Sequence, residues 1–307
     1  MIEPLIAPAR APLPLPPEIA DDEVPPRRPR WRRVIRQMTK SKFALPGGAL
    51  VLVFIILAVL APVIAPYDPY ANDLMAMLEG PSSTHWFGTD ELGRDIFSRI
   101  LYGARLSILE GLFSVALAMI VGVPIGMISG YAGPRVDAVI MRLIDIMLAF
   151  PGVLLAIVIV SILGPSLVNA MIAVAVYTVP IFARLARGST LSAKEEPYIE
   201  ACRAAGMGHL RILTRHIFPN IASTIWVMAT LRVALAILTA SSLSFLGLGA
   251  QAPSPEWGAM LATGRNYMLI APHTVIFPGL AIVLLVLGIN LFQDGLRIAL
   301  DPKMAER

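Results

Sequence analysis

An all-α, polytopic membrane protein with six spanning helices is the architecture this sequence predicts, on two observations. Of its 307 residues 56% are hydrophobic and only 15% charged, with a mean hydropathy of +0.72, which is too apolar for a soluble domain of this size. The apolar residues also gather into runs of about 20, the length needed to cross a hydrocarbon core of about 30 Å.

Residues 1–42 are rich in Pro and then in Arg and hold no apolar segment of the kind a signal peptide carries, so they are expected to form an unstructured cytoplasmic tail. The first span lies within 43–65, where 44–65 carries no charge. An extracytoplasmic loop follows at 66–104. A five-helix core is expected over 105–299, with spans at 107–130, 139–164, 167–183, 221–249 and 275–292 and a cytoplasmic loop at 184–220; residues 300–307 form a cytoplasmic C-terminus. Pro62, Pro124, Pro151, Pro180 and Pro278 fall inside spans, where neighbouring helices accommodate them, and they read as kinks, not breaks. Gly122, Gly126 and Gly130, spaced by four, read as a helix-packing face.

The charge distribution orients the chain. With a cytoplasmic N-terminus, twenty Lys and Arg fall on the cytoplasmic side and four on the other, a strong positive-inside bias that places both termini in the cytoplasm. Because this basic excess lies beside membrane spans, membrane lipid accounts for it and no nucleic-acid partner is needed. The single Cys202 excludes an intramolecular disulfide, and no metal-ligand spacing occurs. All four lysines lack the preceding glycine of a phosphate-binding loop, so ATP is handled on another chain and no cofactor is expected on this one.

One stretch interrupts the apolar pattern. "EEPYIEACRAAGMGHLRILTRHIFPN" (195–220) is polar, basic and punctuated by glycine. Pro197 suits the first turn of a helix, with Glu195 and Glu196 at its positive end, and Gly206 can end that helix in a left-handed cap. A second short helix is expected from about 208 to 218, with Pro219 at the approach to the next span. Tyr198, Ala201, Ala205 and Leu210 would form a small apolar face, leaving Arg203, Arg211 and Arg215 to polar partners. A docking element for a cytoplasmic partner explains this pattern better than a solvated connector does.

At these residues the sequence resembles the permease subunits of ABC importers. Their cytoplasmic EAA signature is matched by Glu200, Ala201, Cys202, Gly206 and Pro219 in spacing, with Cys202, His216 and Phe218 as departures. The resemblance implies that Glu200, Ala201, Cys202, Ala205, Gly206, Leu210 and Pro219 couple the chain to an ATPase. Four further stretches, "LAPVIAPYDP" (60–69), "HWFGTDELGRDIFSRILYGARLS" (85–107), "SLSFLGLGAQAPSPEWGAML" (242–261) and "GLRIALDP" (295–302), look like the dipeptide and oligopeptide permease group. Ala240 stands where that group often has an acidic residue. The resemblance implies the type I importer permease fold in a bacterial inner membrane, a related permease as heterodimer partner, two cytoplasmic ATPase subunits carrying ATP and Mg, and an extracytoplasmic solute-binding protein. Members of the group import dipeptides, longer peptides, glutathione or metal ions. The alternative from the residues alone is an ion-coupled secondary transporter, which midplane carboxylates and inverted repeats would favour.

The outward loop carries Gly88, Thr89, Asp90, Gly93, Arg94 and Asp95, read either as a surface that meets a partner permease or binding protein, or as a helix cap at Thr89 or Asp90 before an amphipathic surface helix. No nucleophile and base are recognisable within reach of one another, so catalysis is not expected. Among charges inside the spans, Arg142 and Asp145 are expected to pair with each other, Glu110 to stay hydrated near the outer mouth, and Arg232 to line the pathway or a subunit interface.

Overall fold

The computed structural model describes residues 42–300, and the expectations for the N-terminal tail and for 301–307 fall outside them. The described chain is helical, with one isolated β-bridge between Thr89 and Asp95. In order the helices are α1 (Ala44–Ile64), α2 (Ile96–Ala132), α3 (Pro134–Ala149), α4 (Gly152–Leu163), α5 (Leu167–Lys194), α6 (Pro197–Ala204), α7 (His209–Phe245), α8 (Trp257–Gly264) and α9 (His273–Leu300). Five of them, α1, α2, α5, α7 and α9, are each long and apolar enough to span a membrane. α3 and α4 make a sixth span only if taken together.

That pair departs from expectation. The run 139–164 is not one kinked helix, because α3 and α4 meet at 89°. Phe150 takes an extended conformation (ψ 136°) ahead of Pro151, whose ring disfavours helical geometry in the residue before it. Pro62, Pro124, Pro180 and Pro278 lie inside continuous helices, as expected. Asp145 also departs: its carboxylate pairs with Arg184 of α5 at 2.6 Å, not with Arg142 on its own helix. Near the start of α3, Asp137 is gripped by Arg187 of α5 through two 2.5 Å hydrogen bonds and accepts a third from Ser129. These contacts latch α3 onto α5 and α2.

The centre of the bundle is the crossing of α2 and α5. The expected glycine face is used there: a Cβ at Gly122 would stand 2.6 Å from the Val179 carbonyl, one at Gly126 would overlap the Ala183 carbonyl, and one at Gly130 would lie 2.8 Å from the Arg187 carbonyl. With no side chain between them the two backbones approach closely, which supplies packing energy where lipid gives helices no hydrophobic drive to associate. One apolar core surrounds this crossing and includes Val115, Ala118, Phe182, Ala186, Ile225 and Leu243. A second, built on Phe54, Ile100, Trp257, Ile282 and Leu285, binds α1, α8 and α9 to the start of α2 and to α7. The large apolar residues left exposed along α1 and α9, such as Leu52, Val59, Val63, Val283 and Leu287, form the surface that lipid covers.

Substituting Gly126 by Leu forces side-chain atoms into the α5 backbone and is expected to lower stability by about 3 kcal/mol or more, the upper range for overpacking. Gly188, with open space around its Cβ position, is the control. Thermal unfolding in detergent should show a large drop for Gly126→Leu and little change for Gly188→Ala.

Candidate functional site

Residues 195–217 fold back on themselves at one end of the bundle. α5 ends at Lys194 and α6 begins at Pro197, so two residues separate the membrane helix from the first limb of the hairpin. Glu196 occupies the N-cap position, and Pro197 costs no hydrogen bond in the first turn. At the other end Gly206 has φ 75°, its N–H bonds to the Arg203 carbonyl (2.9 Å), and the Met207 N–H bonds to the Cys202 carbonyl (3.1 Å). This is the Schellman closure that a left-handed glycine permits.

The second limb is not a separate short helix. His209–Phe245 runs as one 37-residue helix, with a π-helical turn at Leu213–Ile217 in which the Phe218 N–H reaches back to the Leu213 carbonyl. The wider turn just before Pro219 lets the helix pass a residue that has no N–H to give. Pro219 therefore stands inside the helix, not at a boundary. The second limb is thus a direct extension of a spanning helix, and the first follows α5 after Glu195 and Glu196.

The hairpin has two faces. Ile199, Cys202, Ile212 and Ile217 are buried in the same core as the α2–α5 crossing. Cys202 is thus one of the side chains that anchor the hairpin to that core. Tyr198, Glu200, Ala201, Ala205 and Leu210 are exposed on the other side. Tyr198 accepts a hydrogen bond from Asn220 of α7 (2.8 Å). Tyr131, at the end of α2, meets His209 through a 3.0 Å hydrogen bond, and the Arg203 guanidinium lies 5.4 Å from the centre of its ring. Lys194 donates to the Gly130 carbonyl (2.9 Å). α2, α5 and α7 are therefore all fastened to the hairpin. The interfacial aromatic Tyr131 was legible only as the end of an apolar run, since nothing in the sequence pairs it with His209.

The motif at 88–95 lies at the opposite end of the bundle and caps it. The Asp90 carboxylate accepts from the backbone of Leu92 and Arg94 and from Arg94 Nε (2.7 Å), and Arg94 also reaches Glu91. Thr89 bridges to the Ala76 carbonyl and the Glu79 N–H. The helix cap is Asp95, not Thr89 or Asp90: it accepts from the Ser98 N–H at 2.7 Å and contacts His85 at 2.9 Å. What it caps is α2 itself, whose first turns occupy the end of the expected 66–104 loop, and no separate surface helix follows. Gly93 adopts φ 71° in the turn, where a Cβ would overlap the Asp73 carbonyl. Arg99, missed in the sequence, is buried and ties this cap to the α7–α8 loop through the Pro69, Pro253 and Ser254 carbonyls. His273 of α9 contacts the Thr89 carbonyl at 3.0 Å.

Glu110 and Arg232 lie apart from both ends. Glu110 is fully buried, with neither carboxylate oxygen hydrogen-bonded among the described residues, which departs from the expected hydrated position. Arg232 is half-buried midway along α7, with its Nε unpartnered among the described residues. Glu256, outside the spans, N-caps α8 through the Gly258 and Ala259 N–H groups; burial pushes its carboxyl up, and those hydrogen bonds oppose the shift. Among the described residues no cluster of three His, Cys, Asp or Glu side chains could hold a metal ion.

Residues 122–306 match the family described as "Binding-protein-dependent transport system inner membrane component", and residues 29–81 match the "N-terminal TM domain of oligopeptide transport permease C". The dipeptide transport system permease protein DppC of Alkalihalophilus pseudofirmus is 52% identical over 274 residues, spanning 89% of this chain and 90% of that protein. The glutathione transport system permease protein GsiD of Pectobacterium atrosepticum is 50% identical over 275 residues, spanning 89% and 91%. Among solved structures, the MetNI methionine ABC transporter in an inward-facing conformation matches with a TM-score of 0.54 at 18% identity, over 67% of this chain and 98% of that one, a likeness of fold.

Nothing stands within 4 Å of a Cβ at Gly206, so the cost of Gly206→Val is conformational alone, about 1–2 kcal/mol for the left-handed backbone. Gly206→Asn, which tolerates that conformation, should retain most of the wild-type coupling. Substrate-stimulated ATPase activity of the assembled transporter should fall with Val and largely recover with Asn, while the amount of chain in the membrane stays constant for both.

Proposed function

The chain belongs to the family of inner-membrane components of binding-protein-dependent transport systems, and from that premise we propose that it forms one half of the translocation pathway of an ATP-driven peptide importer, engaging a cytoplasmic ATPase through the 195–217 hairpin. Family membership also sets aside the ion-coupled alternative. The peptide class follows from the relatives, one named for dipeptides and the other for glutathione, itself a short peptide.

The observation that carries the docking role is mechanical. Glu200, Ala201, Ala205 and Leu210 are exposed on a rigid, two-limbed element whose limbs continue into α5 and α7. A push on that surface meets only the two-residue link at Glu195 and Glu196 on the α5 side and no break on the α7 side. It passes along α5 to the glycine crossing with α2, and along α7 to α8 at the far end, where Gly258 packs on the Ser241 backbone. Such a coupling drives alternating access when the hairpin binds the open and closed ATPase pair with different affinity.

In this reading the hairpin end, with α1 starting and α9 finishing beside it, is cytoplasmic; Ala44 and Gly295 are packed together there. The positive-inside bias supports that orientation. The 88–95 cap then faces outward, toward a solute-binding protein, and residues 1–42, 43–65, 66–104, 105–299 and 300–307 keep the roles assigned from the sequence. A second, related permease completes the pathway, with Arg232 either lining it or meeting that partner. ATP and Mg act on the two ATPase subunits.

Glu200→Lys tests the docking role. Loss of a favourable charge near the α6 N-terminus costs only about 0.3–1 kcal/mol, so folding should survive. Affinity purification from native membranes should recover ATPase subunits with the wild type and few or none with the variant. Equal recovery, with equal coupled ATPase activity, would remove Glu200 from the interface.

A further inference from the structure

An apolar groove of about 400 Å³ runs between the hairpin half of α2 and the first turns of α7, walled by Ile120, Val123 and Met127 on one side and Leu213, Thr214 and Phe218 on the other. Its polar group, the Thr214 hydroxyl, is turned back to donate to the Leu210 carbonyl at 2.9 Å. The α2 wall runs over ten residues, from Met119 to Ile128, and the α7 wall over nine, from Leu210 to Phe218, or about 12–14 Å at the rise of an α-helix.

At the hairpin end the groove opens onto a surface hollow with which it shares Leu210 and Thr214, and which is bordered by His209, Arg211 and Arg215. Arg211 and Arg215 are one turn apart on α7, exposed, and without a carboxylate partner among the described residues. His209 is held by Tyr131. The pattern is amphiphilic: hydrocarbon walls on α2 and at Leu213 and Phe218 of α7, and two guanidinium groups toward the hairpin end, where a headgroup would lie.

We propose that this groove is a binding site for an anionic phospholipid of the hairpin-side leaflet, with an acyl chain between α2 and α7 and the phosphate on Arg211 and Arg215. Guanidinium groups recognise phosphate oxygens bidentately. An extended peptide in the groove would bring unsatisfied backbone polar groups into an apolar slot, which an acyl chain does not. Seated there, the lipid props α2 apart from α7 directly beneath the hairpin, so headgroup charge would modulate ATPase coupling. The inference rests on the hairpin end being cytoplasmic. Labelling of Glu195→Cys by a membrane-impermeant thiol reagent, in inverted but not right-side-out vesicles, checks that orientation separately.

The test uses the complete assembly, purified from native membranes, exchanged into phosphatidylcholine nanodiscs doped with phosphatidylglycerol, and analysed by mass spectrometry for lipid retained after mild detergent extraction. Wild type should retain phosphatidylglycerol over phosphatidylcholine. Arg211→Gln combined with Arg215→Gln should reduce that preference on the order of tenfold or more. Ile120→Trp, which fills the groove from an exposed position, should abolish retention, with ATPase subunits present in all samples. Equal retention in wild type and both variants overturns the proposal. So does loss of the ATPases in the arginine variant with lipid retention unchanged, which would assign the two arginines to docking. Cross-linking of Ile120→Cys to the second permease in place of lipid retention would likewise overturn it, making the groove a chain interface.

Discussion

Where α2 crosses α5, Gly122, Gly126 and Gly130 leave no side chain between the helices, and the carbonyls of Val179, Ala183 and Arg187 rest almost against the α2 backbone. In a bilayer, where lipid competes on equal terms for apolar surface, such close approach is what makes one arrangement of helices preferable to another. The larger apolar core is built around this crossing, and α3 is latched to it through Asp137, Arg187 and Ser129. α5 then carries it to within two residues of the hairpin, and α2 ends there in Gly130 and Tyr131, each bonded to the hairpin or its root. The position of the hairpin is thus fixed by packing deep in the bundle.

The two ends of the bundle use different physics. The hairpin end is held by apolar anchors, Ile199, Cys202, Ile212 and Ile217, and presents its polar and small residues outward. The cap end buries its charges: Asp90, Arg94 and Arg99 are nearly inaccessible, Arg94 and Arg99 both pair with Asp90, and Arg99 also donates to surrounding carbonyls. A buried network of this kind fixes geometry more than it adds stability, because desolvation offsets much of the attraction. It holds the loop at 66–95 in one shape over the helices, while the exposed hairpin remains free to engage a partner.

Much of this was legible in the sequence, for identifiable reasons. Apolar runs of membrane length located α1, α5 and α9 because nothing else explains them, and the four-residue glycine spacing located the face of α2 that meets α5. Pro197 and Gly206 located the first limb, since each acts through its own backbone. The start of α2 was hidden because Arg99 and Arg105 interrupt its apolar pattern, and only the folded cap makes the burial of Arg99 tolerable. Pro151 was indistinguishable from four other prolines; the extended Phe150 before it, not the proline alone, turns the chain. In the hairpin, Tyr198, Ala201 and Ala205 lie on one helical stripe and Ile199 and Cys202 on the next, so periodicity could not say which faced inward. The pairing of Asp145 with Arg184, 39 residues away, has no local signal at all.

The central claim is that the exposed face of the hairpin meets an ATPase subunit and moves as one body with α5 and α7. Cross-linking from a cysteine placed at Ala201, with Cys202 replaced by Ser, tests it most directly when done in native membranes with and without a non-hydrolysable ATP analogue. The account predicts an adduct to the ATPase whose yield changes with nucleotide. An intact, active complex that gives no adduct from Ala201 in either state would contradict it.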